Sequence, residues 1–216
     1  MDKQVGGDLE PLMSSLLDGD HARALAETRR LVAAGVAPER IVTEGLDSAM
    51  RQLDEKCTVE AFNLLEIMLV GRAVSAVVKE LYPAGGPLPQ GKATFVIATP
   101  EGDIHDLGKN IVKMVLTAKG YRVVDLGKDC PSQDVVDAVE RESAAAVLLS
   151  GLIASVVPQV RQLRAALKAR GLGHVKVVAG GAALKQASAE SLNVDYVAEN
   201  AFDGARYLDE LVQARS

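Results

Sequence analysis

The chain has no tryptophan, and Phe and Tyr together bring its aromatics to only 3% of 216 residues. So few rings leave no stacking surface for bases or sugars. Cysteine occurs only as Cys57 and Cys130, which excludes a disulfide framework; two lone thiols of this kind are expected to be reduced and buried. Lys and Arg are scattered without a basic run, and the net charge is −5, so neither nucleic acid nor an anionic membrane is the expected partner. A charged-then-apolar leader is absent, as is any uninterrupted apolar stretch of roughly 18 residues. The expectation is a cytoplasmic protein. Its 48% hydrophobic content is ample for one large or two small cores.

Two kinds of periodicity divide the chain. The boundary is Tyr82 to Gly91, where three prolines and three glycines in ten residues can continue neither a helix nor a central strand. Before it, apolar residues recur at helical spacing. Leu9, Leu12, Met13, Leu16 and Leu17 mark one helix, and Asp20 caps a second carrying Leu25, Thr28, Leu31 and Val32. Gly35 ends that helix and Pro38 opens a third, with Ile41, Leu46, Met50 and Leu53 inward. A fourth begins near Thr58 to Phe62 and runs to Leu81. Four short-linked helices predict a small antiparallel bundle over residues 1–82, with 83–91 as linker.

After it, apolar runs at 93–99, 121–126, 145–150, 174–179 and 194–198 alternate with amphipathic stretches. Val/Ile/Leu-rich runs between helices predict a parallel sheet covered on both faces: a Rossmann-like (flavodoxin-like) five-stranded domain over 92–216. The predicted fold class is thus α + α/β. In such sheets ligands bind beyond the carboxyl ends of the strands. Asp103-Ile-His105-Asp-Leu-Gly108 lies at the end of the first run, Ser150-Gly-Leu152 at the third and Gly180-Gly181 at the fourth. His105 has what a metal-ligating imidazole needs: an exposed loop, a carboxylate two residues away for its other N–H, and a glycine that leaves room. With only three histidines in the chain, the expected metal is one already held by its own organic ring.

These residues resemble the cobalamin-binding domain. Its signature is Asp-x-His-x-x-Gly, then Ser-x-Leu, then Gly-Gly, and here 41 residues separate Gly108 from Ser150 and 27 separate Leu152 from Gly180. The helical segment resembles the cap that precedes this domain in methyltransfer corrinoid proteins, so the resemblance covers nearly the whole chain. It implies cobalamin as cofactor, in methylcobalamin and Co(I) forms, with His105 as the cobalt ligand in place of the cofactor's own base and Asp103 accepting the other imidazole N–H. It implies that Gly108, Ser150, Leu152, Gly180 and Gly181 line the slot for the displaced nucleotide tail. Phe62, Leu65 and Met68 resemble the part of the cap that covers the corrin; helical phase alone leaves them either there or in the bundle core. The implied role is a corrinoid carrier, catalytic but not a complete enzyme, between a substrate-specific methyltransferase and a second one acting on a pterin or thiol, with a reductive activator. A catalytic barrel of roughly 250 residues does not fit in this chain.

Two features weigh on this reading. Leu107 stands where the adenosylcobalamin mutase version of the loop has Arg, which favours the methyltransfer branch over a mutase subunit. A cobalamin-dependent sensor is the other alternative, though no basic recognition helix is present. Against the pattern, Ala154 and Val156 occupy positions where relatives carry Thr and a serine that bonds the aspartate, with Ser155 between them. Lys109 and Asn110 read as helix-start residues, and Arg161, Arg164, Lys168 and Arg170 as a solvated face.

Overall fold

Each apolar run of the second segment becomes a strand in the computed structural model, which describes residues 8–59, 64–83 and 92–214. The strands are β1 (Thr94–Ala98), β2 (Arg122–Asp125), β3 (Ala146–Ser150), β4 (Lys176–Gly180) and β5 (Tyr196–Val197). All pair in parallel, in the order β2-β1-β3-β4-β5. The central strands are buried almost throughout, because crossover helices cover both faces of a parallel sheet and leave no polar side. The chain reverses its direction of travel across the sheet between β1 and β3, the switch point at which open parallel sheets bind ligands beyond the carboxyl ends of their strands. Asp103, His105 and Leu152 lie on the loops that leave these two strands.

Residues 8–83 are helical: α1 (Glu10–Leu17), α2 (His21–Ala33), α3 (Pro38–Arg40), α4 (Asp47–Val59) and α5 (Leu64–Leu81). Asp20 caps α2 by accepting from the Arg23 N–H, and Pro38 opens α3, as their sequence positions predict. Ile41–Leu46 is a π-helical turn joining α3 to α4, so Ile41, Leu46, Met50 and Leu53 share one rod and are all buried. The last helix differs from expectation: Thr58 and Val59 end α4, and the next helix is described from Leu64. Val32 also departs from its expected place and lies on the outside of α2. Compactness divides the chain into Met1–Gly91 with Met114–Gly120, and Lys92–Lys113 with Tyr121–Ser216.

The helices connecting the strands are α6 (Leu107–Ala118), whose second half falls in the first unit, α7 (Ser132–Arg141), α8 (Val157–Ala169) and the single turn α9 (Ala189–Leu192), with α10 (Ala201–Gln213) after β5. The stretch near 183–190, expected to be an amphipathic helix, is instead a 3-10 turn at Leu184–Gln186 followed by α9. Arg164 is not on a solvated face either. Its guanidinium pairs with Asp195, which also accepts from Lys176 Nζ at 2.9 Å and the Val177 N–H at 2.8 Å, while Arg164 Nε donates to the Asn193 carbonyl. Helical spacing gives a residue's face but not what folds over that face, and here the segment before β5 does so.

This cluster sets a pH-dependent stability. Burial pushes the Asp195 carboxyl up, but the Val177 N–H, Lys176 and Arg164 outweigh it and hold it below the ordinary 3.8. The stabilisation is therefore complete above that value and lost as pH falls through the lower, folded-state value. Asp195→Ala is expected to cost about 3 kcal/mol at neutral pH, as for a charged group with several partners. Urea unfolding of both proteins should show that gap narrowing towards about pH 3 and below.

Candidate functional site

The Asp103-His105 turn is built by its own carboxylate. Asp103 is wholly buried, and its Oδ1 accepts from the His105 backbone N–H at 2.9 Å while lying 2.7 Å from His105 Nδ1. Its Oδ2 accepts from the Leu152 N–H at 2.7 Å, and the Ile153 N–H adds a further bond. One carboxylate thus ties the loop after β1 to the loop after β3 across the switch point. Burial alone would push the Asp103 carboxyl up; the bonds from His105, Leu152 and Ile153 outweigh it and keep it below the usual range. An ionised Asp103 only accepts, so the proton between it and His105 sits on Nδ1, and Nε2 of a neutral ring carries the lone pair.

The imidazole is 51% exposed, and Nε2 has no partner among the described residues. Three apolar side chains in the same loops also face solvent: Ile104 at 64%, Leu152 at 48% and Leu107 at 41%. A lone imidazole nitrogen among exposed apolar groups suits a flat, largely apolar ligand whose metal needs one axial donor. Among the described residues no group of three or more His, Cys, Asp or Glu could hold a metal ion. Cys130 is buried, and burial first, then Asp134, Asp129 and Glu101, push its thiol up to about 11.

The other signature residues fall at neighbouring strand ends. Ser150 pairs with Gly180 in the β3–β4 register, and a Cβ on Gly108 would stand 3.3 Å from Ser150 Oγ. The two glycines do different work. At Gly181 φ is +94°, and a Cβ there would stand 2.5 Å from the Gly151 carbonyl oxygen; at Gly180 a Cβ would make only ordinary contact with Ala198. Gly151 itself has no room for a Cβ, which would approach Val156 Cγ2 to 2.8 Å. It donates to the Gly180 carbonyl at 2.9 Å and accepts from the Ala183 N–H at 3.2 Å. The sequence reading passed over Gly151, although Gly between Ser150 and Leu152 at a strand end is a signal of close backbone approach.

Lys109 stands in the first turn of α6, as its position predicts, and is buried there. It is 1% exposed and its Nζ lies 2.6 Å from Asp125 Oδ1 at the end of β2. In the helical unit, Leu65 at 66% and Met68 at 49% are exposed on α5, beside Leu64 and Leu69, while Ile67, Val70, Val74 and Val77 fill the bundle core. Leu65 and Met68 are therefore not core residues; Phe62 lies outside the described residues.

Comparison with known proteins bears on these features. Residues 93–206 and 9–82 each match a family described as "B12 binding domain". Dimethylamine corrinoid protein 3 of Methanosarcina acetivorans is 34% identical over 183 residues, 83% of this chain and 85% of that protein. A cobalamin-binding protein from Desulfitobacterium hafniense superposes with TM-score 0.74 at 27% identity, over 94% of this chain and 98% of that one. The methanol:cobalamin methyltransferase complex of Methanosarcina barkeri gives TM-score 0.82 over 99% of this chain and 81% of its own, and at 23% identity this likeness concerns the fold.

Proposed function

The chain belongs to the B12-binding family, and from that premise we propose that it is the methyl-carrying corrinoid subunit of a multicomponent methyltransferase system. Its cofactor is cobalamin. The dimethylamine corrinoid relative supports a methylamine-type methyl source. The proposed partners are a substrate-specific methyltransferase, an acceptor methyltransferase and a reductive activator, all acting in the cytoplasm. Residues 1–82 serve as cap, 83–91 as linker and 92–216 as the cofactor domain.

The observation that carries this reading is the His105 turn, with its tautomer set by a buried carboxylate and its Nε2 turned to solvent among apolar neighbours. His105 Nε2 would hold the cobalt, and Asp103 keeps the Nδ1 proton in place. Gly108, Ser150, Gly180 and Gly181 would accept the nucleotide tail, and Leu152, Ile104 and Leu107 would offer the cofactor an apolar surface. Cobalt, when the cofactor is bound, supplies the centre that takes and yields the methyl group. Leu65 and Met68, exposed and apolar on α5, and Phe62 would cover the cofactor and keep water from it.

The departures at Ala154 and Val156 have a consequence for the proton on His105. Val156 is buried and apolar, and the remaining bonds to Asp103 come from backbone amides of His105, Leu152 and Ile153, which have no proton to give up. A proton joining or leaving the His105–Asp103 pair must pass through the half-exposed imidazole.

Hydroxocobalamin added to the purified chain, followed by desalting, tests the reading. Retained corrinoid whose Co(II) electron paramagnetic resonance spectrum carries a nitrogen coupling that follows nitrogen-15 histidine supports it. Retained corrinoid without that coupling removes His105 as ligand. Carriage itself is tested by methylating the loaded, reduced protein with a dimethylamine methyltransferase and following the visible spectrum.

A further inference from the structure

We propose that the buried ion pair between Lys109 and Asp125 is a positioning device that holds the His105 turn in its cofactor-ready geometry before cobalamin arrives. The proposal rests on the reading of His105 as the cobalt ligand. Lys109 sits in the first turn of α6, four residues after His105 and next to Gly108. Its ammonium is buried, donating to Asp125 Oδ1 at 2.6 Å and to Asn110 Oδ1 at 3.0 Å. A buried ammonium is costly and persists only where its partners are well placed.

Asp125 is the hub of a closed circuit. Its Oδ1 also accepts the Gly127 N–H at 2.9 Å, and its Oδ2 takes Lys113 Nζ at 3.1 Å. The Gly127 carbonyl accepts the Thr99 N–H at 3.0 Å, and Thr99 Oγ1 donates to the His105 carbonyl at 3.3 Å. Thr99 is wholly buried. The circuit therefore runs from the start of α6 to the end of β2, across to the end of β1, and back to His105. It encloses the turn from the side opposite the Asp103 bonds to Leu152 and Ile153. Asp103 sets the tautomer of the imidazole; Lys109 and Asp125 fix where the backbone that carries it stands, and where Gly108 meets Ser150.

The same sheet unit holds a second ion-pair cluster for comparison. Arg164, Lys176 and Asp195 join α8, β4 and the segment before β5, without a link to the His105 turn. If Lys109 only added stability, removing it and removing Arg164 would act alike.

The test uses the full chain loaded with hydroxocobalamin, and wild type beside Lys109→Met, Asp125→Asn, Lys113→Met and Arg164→Met. Asp125→Asn keeps an acceptor for Gly127 and guards against a Lys109→Met variant that does not fold. Lys109→Met and Asp125→Asn are expected to bind cobalamin about 10–100-fold more weakly, the usual cost of losing a group that orients a metal ligand, and to broaden or weaken the histidine-nitrogen coupling of the Co(II) form. In the cofactor-free protein their His105 and Gly127 amides exchange hydrogen faster. Arg164→Met keeps wild-type affinity, although it melts earlier, and Lys113→Met, whose amine is half in solvent, loses less affinity than Lys109→Met. Wild-type affinity and coupling in both Lys109→Met and Asp125→Asn would overturn the proposal, as would an equal loss of affinity in an Arg164→Met variant of matched stability. A wild-type protein that retains cobalamin without histidine coupling would instead overturn the ligand reading on which it rests.

Discussion

A His105→Ala variant is expected to keep its fold and lose the spectrum of histidine-ligated cobalamin. The His105 backbone N–H still bonds Asp103 Oδ1, and the ring is half exposed, so little packing goes with it. Its unfolding free energy should change by less than about 1 kcal/mol, the range of an exposed substitution. Asp103→Asn behaves in the opposite way. Both carboxylate oxygens accept, one from two donors on His105 and the other from the Leu152 amide. An amide has one oxygen, so its NH2 must face donors on one side or the other. The expected cost is about 1–3 kcal/mol for each buried donor left unpaired, with corrinoid affinity down about 10–100-fold. Visible spectra of the loaded variants and urea unfolding of the empty ones separate the two effects. An unchanged spectrum in His105→Ala would show that cobalt takes its lower ligand elsewhere.

The second large effect divides the two glycines. Gly181→Ala puts a Cβ 2.5 Å from the Gly151 carbonyl oxygen and 3.0 Å from its carbonyl carbon and nitrogen, at φ +94°. Those atoms are backbone, tied on both sides to Gly180 and Ala183, so they cannot move aside cheaply. The expected loss is about 3 kcal/mol or more, combining left-handed strain with a close contact. Gly180→Ala meets only Ala198, at 3.7 Å and beyond, and is expected to alter stability by less than about 1 kcal/mol. Any fall in cobalamin affinity in Gly180→Ala is then a contact with the cofactor and not a folding defect. Equal affinity to wild type would remove Gly180 from the tail slot and leave Gly181 as the member of the pair that matters, through Gly151.

Much of this architecture is local and therefore legible along the chain. Strand and helix periodicities, the Asp20 cap and the Pro38 start depend on neighbours within a few residues. The spacing of Asp103, His105, Gly108, Ser150, Leu152, Gly180 and Gly181 was readable because each lies at a strand end, and strand ends in a parallel sheet converge on one edge. What escaped the sequence has a common cause. Lys109 and Arg164 carry charges that helical spacing alone assigns to solvent, yet each is covered by a segment far away in the chain: Asp125 at the end of β2, and Asp195 before β5. Leu65 and Met68 were ambiguous for the converse reason, since apolar character alone does not say which apolar face of a helix the bundle uses.

Composition, periodicity and motif spacing were enough to specify a helical segment, a five-stranded parallel sheet and a histidine poised at its edge, because these follow from chain-local geometry and from a fixed separation between strand ends. The strand order that sets Asp103 against Leu152, the close approach of Gly181 to the Gly151 peptide, and the burial of Lys109 against Asp125 were settled by packing between segments distant in the chain. Such contacts depend on where the backbone of one loop meets another, and no local pattern of residues encodes that meeting.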